Sequence, residues 1–297
     1  MAPGNSMPSR WLTAVVALLL ASPWAAMADD NPGQNALKYN VRGASASSRD
    51  NHPRALRLHE MALKARLAAD DISGAIMELH NISVDHLRMN NLDASQSSLS
   101  NAMELYEEEA RMGMGREKEK AMQEAMAHVT TLKAIILLDN GSHEEAGKWA
   151  ERAMVYCQKS GCIDKGRIMN VRGRVALAAD AHDTAETLAN GAMAENRKNK
   201  NQVETANSIR LLAETAEARG EREKANEQYQ KALVIDREEK LGNKIAMDLL
   251  GLARGYAAMK DIESAELFAK RALIVSNAAD YPTGARSASE LLEKLRQ

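Results

Sequence analysis

The chain has two cysteines, Cys157 and Cys162, which stand five residues apart in "YCQKSGC". That spacing is neither a C-x-x-C redox pair nor a C-x-x-C-H haem attachment site. A structural metal would need two further ligands at suitable spacing, and the sequence offers none nearby. In an oxidising compartment the pair reads as a disulfide closing the end of a helix, with Gly161 beside the second cysteine. Softer chemistry is available at Met112, Met114, Met122 and Met126, with His128 close by. Thioethers suit Cu(I) in an exported protein. Met122 and Met126 fit equally well as helically spaced core fillers. The chain has no Gly-rich phosphate loop, H-E-x-x-H, G-x-S-x-G or metal-spaced set among its 7 histidines. These residues point to a protein without catalytic machinery or a cofactor.

The elements that would position such residues follow from composition. Aromatic residues make up 3% of the chain, with a single Phe, so alanine, leucine and methionine must fill the interior. With 27% charged residues and 6 prolines, that mixture favours helices. A formal charge of −2 argues against nucleic acid, which calls for clustered excess Lys and Arg. Arg10, the apolar run Trp11 to Ala21 and the A-x-A site at Ala26-Met27-Ala28 form an export signal, with cleavage expected after Ala28. The expected location is therefore the periplasm or beyond. No later stretch approaches the ~18 apolar residues of a membrane span. Residues 29–53 are rich in Ser, Asn and Gly and read as a flexible leader.

A repeat organises the remainder. Small residues recur seven apart at Ser95/Ala102, Ala146/Ala153, Ala185/Ala192, Ala225/Ala232 and Ala265/Ala272, each pair followed by Met or Leu. Successive pairs are 51, 39, 40 and 40 residues apart. Twelve residues before each first member stands another small residue: Ser83, Ala134, Gly173, Ala213 and Ala253. Seven residues make two helical turns, so each pair shares a stripe on which another helix can approach closely. Turn signals such as "MNNLD", "DNGSH", "AADAHD" and "ARGER" separate the two halves. Each unit is therefore two helices with their small faces together, and such units must stack to bury their apolar surface.

Residues 206–236 and 249–276 most clearly resemble tetratricopeptide repeats, and 79–108 also match well. The period of about 40 is longer than the usual ~34, so the chain resembles a longer-repeat variant. The resemblance implies an all-α solenoid of five helix pairs, curved into a right-handed superhelix with terminal capping helices. The expected units are 73–112, 117–160, 163–199, 202–241 and 243–281. A lone half-repeat at 54–72 would precede them, and a cap at 283–297 would follow. The 51-residue step predicts an extended loop or longer helices near "EARMGMGREKEKAM".

The resemblance further implies a concave surface lined by the first helix of each pair. Positions six and three before, and one and four after, the small residue select His80 in the first unit and His128 in the second, among apolar neighbours. The later units place Arg167, Asn170, Arg174, Asn207, Arg210, Glu214 and Arg254 there. Planar guanidinium groups bind carboxylates bidentately, so the expected ligand is a protein segment with an apolar part and an acidic or C-terminal part. The same arginines could instead pair with neighbouring glutamates. Of the asparagine ladder found in some peptide-gripping relatives, Asn81 is present, while Leu132, Val171, Leu211 and Gly251 depart from it. The expected function is an exported, non-catalytic adaptor or scaffold in an envelope or periplasmic complex. A self-assembling structural scaffold, homo-oligomeric through the same surfaces, and a Met-rich copper-binding or enzyme-accessory protein stand as alternatives.

Overall fold

The computed structural model describes residues 31–49 and 51–296, where every regular element is a helix. In chain order these are α1 (Pro32–Ser47), α2 (His52–Ala68), α3 (Ile72–Arg88), α4 (Leu92–Met112), α5 (Arg116–Asp139), α6 (His143–Ser160) and α7 (Lys165–Ala178). They continue as α8 (His182–Lys198), α9 (Gln202–Ala218), α10 (Arg222–Glu238), α11 (Gly242–Ala258), α12 (Ile262–Ala278) and α13 (Pro282–Leu295). The turns set the rhythm. Asp180, Lys200, Gly220, Lys240, Lys260 and Asp280 all have positive φ, at intervals of twenty residues. Each stops a helix in the left-handed conformation, so that its own N–H and the next one bond to carbonyls of the last turn. Asn51, Asp71, Asn91, Asn201 and Asp261 then cap the next helix by accepting a backbone N–H.

The chain divides into two compact units at Val129/Thr130, within α5. In the first unit α1 packs on α2, α2 on α3 and α3 on α4. Ala36, Ala55, Ala62, Ala75 and Ala102 are fully buried there. In the second unit the C-terminal half of α5 packs on α6 through Ala134, Ala146 and Ala150, with Trp149 partly covered between them. From α6 to α13 each helix then packs on the next. Helices α7, α9, α11 and α13 also touch in succession and form an inner row; α8, α10 and α12 form an outer one. The small positions are what lets these axes approach: Ala185, Ala192, Ala232, Ala265 and Ala272 have no exposed surface. α13 turns Gly284, Ala288 and Leu292 inward and leaves Arg286, Glu290 and Glu293 in solvent, so it closes the array with a polar face.

Two sequence expectations change. The export signal lies outside the described residues, but the flexible leader expected over 29–53 gives way to α1, which is capped by Asn31 and begins with Pro32. α2 is accordingly no lone half-repeat; it pairs with α1. The reason is close approach without bulk. Gly43 stands twelve residues before Ala55, in phase with the other small positions, and a Cβ there would lie 2.4 Å from the His59 ring. The long 51-residue step is absorbed by helix length: α4 has 21 residues and α5 has 24, whereas most others have 17.

Candidate partner-binding faces on the inner helices

In the first unit the expected face is apolar. Met77, Val84 and Leu87 on α3 are partly buried, and Leu37 and Val41 on α1 are 58% and 59% exposed. His80 is buried, and its ring centroid lies 5.7 Å from that of His128 on α5. Asn81 donates to Glu78 at 3.3 Å. Charge in this unit is held inside. Asp85 is fully buried and accepts from His59 Nδ1 at 2.8 Å, His52 Nδ1 at 3.0 Å and Ser47 Oγ at 3.0 Å. Burial alone would raise its pKa, but these donors hold the carboxyl below its ordinary value.

In the second unit the expected residues separate into two groups. Arg210 and Asn170 are buried in seams between successive pairs. Arg210 Nε donates to Asp248 Oδ1 at 2.7 Å, and its Nη2 reaches both Asp248 and Asp236. Asn170 donates to Glu204, and its Oδ1 accepts from Ser208 Oγ at 2.8 Å. The slot recurs. Asn40/Glu78, Asn170/Ser208 and Arg210/Asp248 are hydrogen-bonded pairs 38 residues apart, each joined by an outer-helix residue: Arg66, Asn196 or Asp236. The position three before the small residue therefore leans toward the next pair and not into the open face. Asn170 and Arg210 are withdrawn from the surface for this reason; His80, at the same position, is buried with its ring near that of His128.

The remaining residues do reach the inner face. Arg174 donates to Asp139 at 2.9 Å and keeps 42% of its side chain exposed. Arg254 clamps Glu217 at 2.6 and 2.8 Å and donates to Tyr229 Oη at 3.2 Å, while that hydroxyl donates to Glu217 at 2.6 Å. The Tyr229 ring fits because Gly251 has no Cβ; one would stand 2.4 Å from it. Burial works against the Glu217 charge, yet Arg254 and Tyr229 hold its pKa below the usual carboxylate range. Arg167 lies 3.7 Å from Glu204. Asn207 accepts from Arg210 at 2.9 Å. Glu214 is partly buried and acts through its charge on Arg210, Arg254 and Tyr229. The arginines thus face carboxylates of their own chain, the pairing the sequence left open as an alternative.

Two inner-face residues escaped the four-position stripe. Lys244 sits nine residues before Ala253, one turn beyond Met247, so extending the stripe by a turn would have found it. It is partly buried and makes no side-chain hydrogen bond or ion pair among the described residues. Burial first, then the Arg210 and Arg174 cations, push its pKa down to about 8, with Glu204 and Asp236 opposing. Tyr281, just before α13, lies in the field of Asp139, Arg174 and Arg210, and burial raises its pKa. Nothing in its local sequence marks it, because the association is made by packing.

Elsewhere, Cys157 and Cys162 bring their sulfurs to bonding distance with Cα atoms 4.8 Å apart, where α6 ends on Gly161 at positive φ. Met122 and Met126 are buried in α5, while Met112 is 74% exposed. Among the described residues no cluster of three or more His, Cys, Asp or Glu is placed to hold a metal ion. No described helix is long and apolar enough to cross a membrane.

No protein-family model and no curated protein sequence matches the chain. Solved structures do. A STAND-type signal transduction ATPase with a tetratricopeptide repeat sensor, from Pyrococcus horikoshii, aligns with 88% of the chain at 17% identity and a TM-score of 0.59. The match spans 38% of that protein's own length. The apo form of RapI aligns with 88% of the chain and 72% of itself, at 16% identity and a TM-score of 0.57. PilF of Pseudomonas aeruginosa aligns with 89% of the chain and 99% of itself, at 15% identity and a TM-score of 0.51. At such identities the likeness is one of fold. Together with the 40-residue phase of small residues and the paired helices, it assigns this chain the all-α tetratricopeptide-repeat fold.

Proposed function

We propose that the protein is a non-catalytic adaptor whose inner helices hold an acidic or C-terminal segment of a partner protein, within a complex of the bacterial envelope or periplasm. The observation that carries this reading is Lys244. Among the described residues it is a cation without a side-chain hydrogen bond or ion pair on an inner helix, in the field of two further cations, Arg210 and Arg174, and of Glu204 and Asp236. A carboxylate from outside the chain would neutralise it and gain charge-assisted hydrogen bonds in a partly desolvated place. Arg174, whose charge acts on Lys244, is exposed and can exchange Asp139 for a ligand carboxylate. A Rap protein complexed with Competence and Sporulation Factor has a similar fold, at 14% identity, which supports a recognition role for an array of this kind. The placement in the envelope rests on the export signal read in the sequence.

The test is affinity capture with cross-linking from the periplasm of the source cell, comparing the wild-type chain with Arg174→Glu/Lys244→Glu. Both side chains reach solvent, so the fold should hold, which circular dichroism checks. The expected result is loss of the cross-linked partner in the double variant. Equal capture by both proteins would overturn the inner-face assignment.

A further inference from the structure

The charged side chains of α7, α9 and α11 pair within the chain, with two exceptions. Arg167 meets Glu204, Arg174 meets Asp139, Arg210 meets Asp236 and Asp248, and Arg254 meets Glu217. Lys165 and Arg172 pair with the outer helices, through Glu195 and Glu151. The two left over have opposite signs. Lys244 on α11 and Glu214 on α9 are partly buried and make no side-chain hydrogen bond or ion pair among the described residues.

They stand toward opposite ends of one stripe. Lys244 lies nine residues before Ala253 and Glu214 one residue after Ala213, so ten positions separate them in the repeat register. α9 and α11 hold the same place in successive pairs and touch. Ten positions make about 15 Å along the axes, and neighbouring axes are about 9 Å apart, which sets the two charges about 17 Å from each other. Their surroundings do not cancel them. The carboxylates that act on Lys244, Glu204 and Asp236, already face Arg167 and Arg210. The guanidinium groups that Glu214 acts on, Arg210 and Arg254, are held by Asp236 and Asp248 and by Glu217. Between the two charges stand Met247 and Asn207, partly buried and uncharged.

We propose that the inner face of the second unit holds an extended partner segment with a carboxylate at Lys244 and a Lys or Arg side chain at Glu214, about five residues apart. This rests on the adaptor reading above and narrows its partner. An extended chain rises about 3.3 Å per residue, so five residues cover the gap between the two charges. A wholly acidic run does not fit, because its far end would meet Glu214 and Glu217. Complementary charge at two separated points also fixes the direction in which the segment lies.

The experiment is selection of random dodecapeptides, displayed with free C-termini, on the full chain, followed by fluorescence anisotropy of the enriched peptides. Expected is a Lys or Arg about five residues from a side-chain or terminal carboxylate, always in the same order. Gln in place of that cation should weaken binding to the wild-type chain about tenfold, the loss of one charge-assisted hydrogen bond. Glu214→Lys should weaken the same peptides at least as much, with circular dichroism checking the fold. The swap Lys244→Glu/Glu214→Lys should select peptides with the two charges in reverse order. Enriched peptides that are lost on Lys244→Glu but carry no cation, or that bind Glu214→Lys undiminished, overturn this inference and leave the adaptor reading standing. Peptides indifferent to both residues, or no enrichment on the wild-type chain, overturn both.

Discussion

The inner faces of the two units use one helical grammar for opposite chemistry. In the first, Leu37, Val41, Met77 and Val84 make an apolar surface, and the charged groups Asp85 and Glu78 are turned inside among histidines and amides. In the second, Arg174, Glu217, Lys244 and Arg254 stand on the inner face, and an arginine with two carboxylates fills a seam. Fold and recognition are thereby separable. The small positions recur in every pair and set the spacing, while the residues on either side vary freely. What varies most is whether a seam is neutral, as at Asn170/Asn196/Ser208, or ionic, as at Arg210/Asp236/Asp248.

The largest expected effect breaks that contrast. Arg210→Ala leaves two fully buried carboxylates without their cation and should cost about 3–5 kcal/mol in urea unfolding. Asn170→Ala, in the same register of a neutral seam, should cost only about 1–2 kcal/mol. Equal losses would mean that the ionic seam is no more than another hydrogen-bonded one.

The next effect is a pH dependence. Burial, opposed by Arg210, pushes Asp248 up to about 7, well above its unfolded value of about 3.9. The folded chain therefore holds this proton more tightly than the unfolded chain does. The stabilisation from that proton is complete below about pH 4 and is lost as pH rises through about 7. Asp248→Asn should flatten the decline in stability between about pH 4 and 7. A profile with the wild-type slope would place the titrating group elsewhere.

The third concerns the seam where Cys157 occupies the position held by Asn196 and Asp236 in later repeats. Alkylation mass spectrometry of the oxidised protein should find no free thiol, and Cys157→Ser/Cys162→Ser should cost about 2 kcal/mol by the chain-entropy argument. Labelled thiols in the oxidised protein would exclude the bond. The smallest effect sharpens the turn rhythm. Lys240 has φ 59, so Lys240→Gly should stabilise by roughly 0.5–1 kcal/mol in the same unfolding assay. A loss instead would show that the lysine side chain contributes more than its backbone strain costs.

Much of the fold was legible because its signals are local and periodic. Ala225, Ala232 and Ala213 announce their pairing by spacing, and Asn201 and Asp261 announce the starts of their helices. α1 was missed although Gly43 stood in phase, because serine and asparagine around it hid a helix that needs little bulk to pack. The inner face was half legible. Arg174 and Arg254 were found by register, whereas Arg210 and Asn170 were misplaced because one step around a helix separates an open face from a seam. Lys244 lay one turn outside the stripe considered.

By itself, then, the sequence determined the helices, their pairing and the repeat phase, since each depends on residues within about forty positions along the chain. Tertiary structure alone decided which polar groups are satisfied. Asp236 and Asp248 come to share Arg210, and Tyr281 comes into the field of Asp139, only when successive pairs stack. Burial and partners, the quantities that set the charge and reach of those groups, do not exist until the array is assembled.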